Sequence, residues 1–272
     1  MAIVGIDGAG KTTALSLVGD RVPTSVTLSS MRNHGIADAP LRDLSEVLER
    51  LRTEAEALNS PRLVLTAIFL QMCMFGPTER FFSATMSPDV VLVDRHPVVD
   101  AAVYLPVFRK IIDSDESLNS VPPLRDVLGS TDEQLVVRWL ESRGRQLGET
   151  WNIDDLSGSL LSLTSLPDSV RLETLEVMLQ TSLPQLVVWL DLAVDRASNR
   201  LASRAGIREI HESRHHLAEI RGSYRRVLRN LPPTVQVVPI AVGEMTPDDV
   251  ADSIVSVMTE KERHVLAGIS AA

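Results

Sequence analysis

One stretch near the N-terminus constrains the fold more than any other: Gly5-Ile6-Asp7-Gly8-Ala9-Gly10-Lys11-Thr12, which fits the pattern G-x-x-x-x-G-K-[ST] at every position. An apolar run, Ala2-Ile3-Val4, precedes it, and residues with helical spacing follow it from Thr13 to Val18. A strand, a glycine-rich turn and a helix in this order favour a phosphate-binding P-loop over a chance match, because backbone N–H groups and the helix N-terminus then point at an anion. The predicted nucleoside triphosphate site comprises Gly8, Ala9, Gly10, Lys11, Thr12 and Thr13.

Two side chains of this loop have predicted roles. Lys11 should reach the β- and γ-phosphates, and the Thr12 hydroxyl should bind Mg²⁺. ATP and Mg²⁺ are therefore the expected cofactors. The loop alone does not identify the reaction.

Composition limits the kinds of partner. The net charge of −9 disfavours binding to nucleic acid or to an acidic membrane surface. The one cysteine, Cys73, cannot form a disulfide within the chain. The longest near-apolar run, Leu63 to Phe75, is too short to cross a bilayer. Because the chain leads directly into its first predicted strand, we expect no signal peptide. We expect a cytoplasmic protein with a single domain over residues 1–272.

A second predicted strand, Ser25 to Ser29, ends close to Arg32. In open parallel sheets, groups that bind ligands gather at the carboxyl ends of the strands. Arg32 is therefore a candidate for holding an anionic substrate, and a solvated loop arginine is the alternative.

The run Val90-Val91-Leu92-Val93 has the continuous apolar character of a buried parallel strand, and Asp94 and Arg95 follow it. A carboxylate at the end of such a strand beside a P-loop can hold the water shell of Mg²⁺. An arginine there can hold phosphate with two parallel hydrogen bonds. Asp94 is thus a candidate metal residue and Arg95 a candidate phosphate residue. A structural ion pair between them is the alternative.

Three helices are predicted around this third strand. Leu41 to Leu58 has the pattern of an exposed amphipathic helix, and Ser60-Pro61 opens a mostly apolar helix of about Arg62 to Thr85. Gln71 lies in the most apolar part of that helix, where a buried amide needs partners. It is either a satisfied core glutamine or a ligand-binding residue. The third helix begins at Pro97 and carries two further candidates, Asp100 and Tyr104.

Residues 113–183 form a predicted, mainly helical insertion. Thr131 to Leu147 has an amphipathic pattern with Thr131 as candidate N-cap, and Leu160 to Gln180 suggests one or two more helices. The favoured interpretation is a packing or dimerisation element.

The C-terminal third contains a further buried strand, Leu186 to Leu190, and a helix from Ala193 that leads into an arginine-rich stretch. We interpret residues 200–214 as a lid that closes over phosphates, although a solvated helix face is the alternative. The remaining predicted elements are a helix from His211 to Leu231, a strand from Thr234 to Ile240, a helix from Asp248 to Glu262 and a loose tail from Arg263 to Ala272.

These residues together resemble the thymidylate kinase and thymidine kinase group of P-loop phosphotransferases. The loop GIDGAGKTT is close to the thymidylate kinase form, and VDRHPVVDAAVY is similar to the herpesviral thymidine kinases. LTAIFLQMCMFGP resembles the viral helix that carries a base-reading glutamine, and WLDLAVDRASNRLASRAGIREI with RGSYRRVL resembles the lid and the helix after it. The resemblance implies an α/β, three-layer P-loop NTPase fold with a core parallel sheet, a lid and a helical insertion.

The resemblance also implies a role for each candidate residue. Asp7 would lie near the acceptor phosphate, sugar and metal, and Arg32 and Arg95 would hold the acceptor phosphate. Arg204 or Arg208 would contact the transferring phosphoryl group, and Glu209 would contact the sugar. The nucleoside pocket would be lined by Gln71, Asp100 and Tyr104.

The end of the second strand distinguishes the two branches. A nucleoside kinase must deprotonate a sugar hydroxyl, and its family carries a carboxylate just after this strand. A monophosphate kinase instead needs cations that bring two anions together. Arg32 stands here, with no Asp or Glu beside it. We therefore favour a nucleoside-monophosphate kinase whose acceptor is a pyrimidine deoxynucleotide.

Departures from the pattern leave the acceptor open. Thymidylate kinases carry a thymine-reading arginine where this chain has Gln71-Met72-Cys73-Met74. Asp100 replaces their usual Ser or Asn and could accept a hydrogen bond from an exocyclic amine, so a cytosine-type or modified pyrimidine is also considered. The alternatives are a nucleoside kinase, a kinase of a non-nucleotide small molecule, and a nucleotide-binding protein without turnover. A homodimer is expected from the resemblance alone.

Overall fold

A computed structural model describes residues 1–203 and 213–269, with only the backbone described at 117, 119 and 262–269. Five parallel strands form one sheet in the order β2-β3-β1-β4-β5, flanked by helices. The strands are β1 Ala2–Val4, β2 Ser25–Ser29, β3 Val90–Asp94, β4 Leu186–Asp191 and β5 Gln236–Ala241. The helices are α1 Lys11–Arg21, α2 Arg42–Ala57, α3 Pro61–Met72, α4 Phe75–Met86, α5 Pro97–Asp113, α6 Leu124–Leu128, α7 Ser130–Gln146, α8 Ile153–Ser162, α9 Asp168–Leu179, α10 Val194–Ala202, α11 Arg214–Arg229 and α12 Pro247–Ile269. This architecture confirms the predicted α/β fold with a core parallel sheet.

The central strand β1 is completely buried, because helices cover the sheet and strands pair with it on both sides. Ala2 is in register with Val93 of β3 and with Val187 of β4. Continuous apolar sequences suit such strands, and this pattern located β1 at its observed bounds and β3 and β4 to within one residue. The short β-rich run Ser25 to Ser29 located β2 at its observed bounds, and β5 was predicted to within two residues.

The predicted helix from Arg62 to Thr85 is wrong in one respect, since the structure contains two helices, α3 and α4, with a turn at Cys73 and Met74. Pro77 explains the break. It has no N–H to donate to the carbonyl of Cys73, and its ring would clash with that carbonyl in a continuous helix. The proline is instead accommodated in the first turn of α4, where no intrahelical donor is required.

Residues 114–185 contain α6 to α9, which pack on α2, α3 and α5. Helix α7 matches the prediction from Thr131 to Leu147 and α9 lies within the predicted span Leu160 to Gln180, whereas α6 and most of α8 were not predicted. The Trp139 indole donates a hydrogen bond of 3.2 Å to the carbonyl of Leu70, and the rings of Phe69 and Trp151 lie 5.8 Å apart. The insertion therefore buttresses α3. Thr131 is not an N-cap as predicted, because α7 begins one residue earlier and is capped by Gly129.

The C-terminal boundaries also differ from the prediction. Helix α11 begins at Arg214, and residues 211 and 212 of its predicted span lie outside the described part of the chain. The predicted loose tail is wrong over residues 263–269, because α12 continues to Ile269. No helix in residues 1–203 and 213–269 is long and apolar enough to cross a membrane.

Candidate active site

A cavity of about 530 Å³ lies at the carboxyl ends of β1, β2 and β3. Parallel strands bring the residues that follow them to one edge of the sheet, so the P-loop, Arg32 and Asp94 meet there. Helices α2, α3, α5 and α10 complete the walls. The predicted site residues that line this cavity are Asp7, Gly8, Gly10, Lys11, Thr12, Thr13, Arg32, Asp94, Arg95, Asp100 and Tyr104.

The P-loop needs glycine at Gly8 and Gly10, and also at Gly5, where a Cβ would lie 2.6 Å from the carbonyl oxygen of Leu190. Gly10 caps α1 in the left-handed conformation, with φ of 87°, and Gly8 has φ of 80°. A Cβ on Gly8 would lie 3.0 Å from the carbonyl oxygen of Ala197 in α10. No side chain caps α1, whose first N–H groups therefore face the cavity as an anion site. Ala9 is buried and does not line the cavity, in contrast to its predicted contact.

Lys11 is held almost completely buried at the loop, with its side chain 6% exposed. Its ammonium donates a hydrogen bond of 2.9 Å to the Ile6 carbonyl and lies 3.6 Å from Asp7 Oδ1. Burial and the nearby charge of Arg95 lower the pKa of Lys11, and Asp7 opposes that effect. A phosphate placed in the loop would supply the negative charge that this desolvated ammonium requires.

Thr12 and Asp94 form a pair that fits Mg²⁺. The Thr12 hydroxyl donates to Asp94 Oδ2 over 2.9 Å, while Asp94 Oδ1 is buried and receives no hydrogen bond within the described chain. Mg²⁺ is commonly held by one or two protein oxygens, with water and phosphate completing its octahedron. No group of three or more His, Cys, Asp or Glu side chains in residues 1–203 and 213–269 could bind a metal by itself. The two residues therefore suit a metal that arrives with phosphate.

Arg95 joins three acceptors at the centre of the cavity. One Nη donates to Asp7, and the other donates to Asp100 Oδ2 at 3.1 Å and to the Tyr104 hydroxyl at 3.0 Å. Although burial alone would lower the pKa of Arg95, the carboxylates of Asp7 and Asp100 raise it, so it stays charged. Its φ of 65° lies in the left-handed region, a strain that is typical of functional positions.

Asp100 has both of its oxygens occupied. Oδ2 accepts from Arg95, and Oδ1 accepts from the Tyr224 hydroxyl at 2.8 Å. Burial raises the pKa of Asp100, and Arg95 opposes that shift. Asp100 therefore lines the cavity chiefly as a support for Arg95, with little capacity left for the base amine that its sequence position suggested.

Gln71 is 1% exposed and is not among the residues that line the cavity, in contrast to the sequence prediction. Its amide donates to Glu49 of α2, which does line the cavity. Burial alone would raise the pKa of Glu49, but the hydrogen bonds and charge of Arg52, with Gln71 and Arg32, lower it to about 2. Sequence reasoning missed Glu49 because it lies within an ordinary charged helix, with no motif around it.

Arg200 of α10 is a second cavity residue without a predicted individual role. Its guanidinium donates to the carbonyl of Gly8 at 3.1 Å, so it already contacts the P-loop. The predicted lid residues Arg204, Arg208 and Glu209 lie outside the described residues.

No family profile and no curated protein matches this chain. Solved structures do share its fold. A thymidylate kinase from Candida albicans is 15% identical, with a TM-score of 0.52 over 97% of this chain and 92% of that one. A deoxyadenosine kinase from M. mycoides, described with the products dCMP and a flexible dCDP bound, is 10% identical, with a TM-score of 0.50 over 95% of this chain and 98% of that one. The chain therefore has the fold of these P-loop kinases, which confirms at the level of the fold the resemblance of its sequence to the thymidylate kinase group.

Proposed function

We propose that this protein transfers the γ-phosphoryl group of ATP to a nucleoside monophosphate, with a pyrimidine deoxynucleotide as the acceptor. The observation that carries this proposal is the convergence of five cationic side chains on one cavity: Lys11, Arg32, Arg52, Arg95 and Arg200. Transfer between two anionic reactants requires such a clamp, because phosphoryl transfer depends mostly on positioning and charge stabilisation.

The donor side of the cavity is assigned to the P-loop. The N–H groups at the start of α1 and the Lys11 ammonium bind the phosphates of ATP. Thr12 and Asp94 hold the metal, which supplies charge neutralisation on the transferring group when it is bound. Arg200, bonded to Gly8, lies where it can contact the same phosphates.

The acceptor side is assigned to Arg32 and Arg95. Arg32 follows β2, is 56% exposed and has one carboxylate 3.8 Å away, that of Glu49. An acceptor phosphate can therefore reach its guanidinium without breaking a buried pair. Arg95, fixed by Asp7 and Asp100, adds a second guanidinium to the same cavity.

A nucleoside kinase is the second candidate, because three carboxylates besides Asp94 line the cavity: Asp7, Asp100 and Glu49. A base for a sugar hydroxyl works best with a pKa near the working pH. Glu49, with a pKa of about 2, is a weak base, and Asp7 and Asp100 are committed to Arg95. These contacts favour the monophosphate as the acceptor.

A coupled assay of ADP release with ATP and Mg²⁺ tests the proposal over a matched panel of dTMP, dUMP, dCMP, CMP and UMP and their nucleosides. Turnover with a monophosphate and none with its nucleoside supports it. Turnover with nucleosides alone favours the second candidate. ATP binding without turnover on any acceptor favours a non-nucleotide acceptor or a binding protein. Dimerisation and a cytoplasmic location stay predictions.

A further inference from the structure

Glu49 is a carboxylate fixed in the wall of the cavity by cationic and amide donors. Arg52 donates to both of its oxygens, at 2.8 Å from Nη2 and 3.1 Å from Nε, and Gln71 donates at 2.9 Å. Arg52 is itself held by Glu56 at 2.6 Å, so the group cannot easily turn away. The side chain of Glu49 remains 25% exposed, which leaves acceptor capacity towards the cavity.

The surface beside Glu49 is apolar. Leu65, Ile68, Phe69 and Met72 of α3 line the cavity, and Gln71, which bonds Glu49, lies on the same helix. Phe69 packs against Trp151 of the insertion. A flat heteroaromatic ring can pack on such a wall, and its edge then meets the carboxylate.

Glu49 is the acceptor that a ligand meets at this wall. Gln71, which bonds it, is buried behind the wall and does not line the cavity. A ligand edge that meets the exposed part of the Glu49 carboxylate must bring a hydrogen-bond donor, because two facing acceptors repel each other.

We propose, building on the function proposed above, that Glu49 selects the acceptor by accepting a hydrogen bond from an exocyclic amino group of its base, so that cytosine is preferred to uracil and thymine. Cytosine carries an amino group where uracil and thymine carry a carbonyl. The carbonyl would face the carboxylate and be rejected. This role differs from that predicted for Asp100, whose side chain bonds Arg95 and Tyr224 and is only 1% exposed, against 25% for Glu49. A sugar hydroxyl is another donor that could meet Glu49, and the comparison of CMP with dCMP separates it from the base amine.

Equilibrium binding of dCMP and dUMP tests this directly, because the two nucleotides differ only at the base edge. We expect dCMP to bind at least about 10-fold more tightly than dUMP. In Glu49→Gln, which can both donate and accept, this ratio should fall to about 3-fold or less. The control is Glu46→Gln, one turn earlier on α2. Glu46 pairs with Arg42 on the surface, so this substitution should leave the ratio of dCMP to dUMP affinity unchanged.

Three results would overturn the inference. The first is equal binding of dCMP and dUMP by the wild-type protein. The second is a ratio of dCMP to dUMP affinity that Glu49→Gln leaves unchanged. The third is an effect of Glu49→Gln on the ratio of CMP to dCMP affinity alone, which would assign Glu49 to the sugar. The ratio of dCMP to dUMP affinity in the wild-type protein tests the base preference even if Glu49→Gln does not fold. ADP release is measured in parallel: selective binding of dCMP without turnover contradicts the proposed kinase function and leaves the base selection standing.

Discussion

The Thr12 hydroxyl donates a hydrogen bond of 2.9 Å to Asp94 Oδ2, joining residues 82 positions apart in the chain. The pairing of β1 with β3 creates this contact, because it aligns the P-loop with the end of the neighbouring strand. One oxygen of Asp94 is thereby oriented by Thr12, and the other stays without a donor in the described structure. Such a pair is prepared for a metal and its water shell.

Asp94→Asn should raise the Mg²⁺ concentration needed for half-maximal activity by about 10- to 100-fold, because the variant loses the charge that orients the metal. A titration of activity against Mg²⁺ at saturating ATP measures this. The matched control is Asp191→Asn at the end of β4, where Asp191 pairs with Arg221 at 2.6 Å. An equal Mg²⁺ shift in both variants would contradict the assignment of Asp94.

Lys11→Ala should lower kcat by at least about 100-fold, because it removes a preorganised cation from the transferring phosphates. The fold should survive, since Asp7 keeps its pair with Arg95. Steady-state kinetics and a thermal unfolding curve measure both effects. Lys11→Met, which keeps most of the buried apolar stem, separates loss of charge from loss of packing. Near wild-type turnover in Lys11→Met would refute the role of the charge.

Arg32→Ala should raise the KM for the acceptor by about 10-fold or more and leave the KM for ATP nearly unchanged, since a charged hydrogen bond contributes about 1.5–3 kcal/mol. Arg42→Ala is a close control, because Arg32 and Arg42 are both 56% exposed and only Arg32 lines the cavity. Initial rates with each substrate varied in turn measure the two constants. An effect of Arg32→Ala on ATP alone would be incompatible with a place on the acceptor side.

Glu49 should make the free energy of unfolding depend on pH in the acid range. Its pKa is lowered from the ordinary 4.5 to about 2 in the folded protein, so the unfolded chain takes up the proton first as the pH falls. The stabilisation is therefore complete above about pH 4.5 and is lost progressively towards pH 2. Urea unfolding at pH 6 and pH 3 should show that the stability difference between wild type and Glu49→Gln shrinks at the lower pH. A stability difference between wild type and Glu49→Gln that is the same at pH 6 and pH 3 would contradict this expectation. So would a difference equal to that between wild type and Glu46→Gln at both pH values.

The sequence located the sheet and one half of the cavity because both depend on local patterns. Continuous apolar runs define strands buried on both faces, and the residues after β1, β2 and β3 must meet at one edge of the sheet. Arg32, Asp94 and Arg95 follow from that rule, and Lys11 and Thr12 follow from the P-loop motif after β1.

The other half of the cavity depends on tertiary packing, which leaves no local signal. Glu49 reaches the cavity only because α2 packs on α3, and Gln71 turns its amide to Glu49 and away from the cavity. The break at Cys73 was missed because the apolar pattern continues through it, although Pro77 marks it in retrospect. The loose tail was predicted from its position near the end of the chain, but α12 continues beyond Glu262 to Ile269.

The most direct test of the central claim is the identity of the phosphorylated product. ³¹P NMR of a reaction with ATP, Mg²⁺ and dCMP, and of a parallel reaction with deoxycytidine, distinguishes a new diphosphate from a new monophosphate and from free phosphate. The account predicts that in the first reaction the dCMP signal falls in step with the γ-phosphate signal of ATP, as ADP and dCDP form in equal amounts, and that the second reaction does not change. A new monophosphate signal from deoxycytidine, or ADP and inorganic phosphate formed while the dCMP signal stays constant, would contradict it.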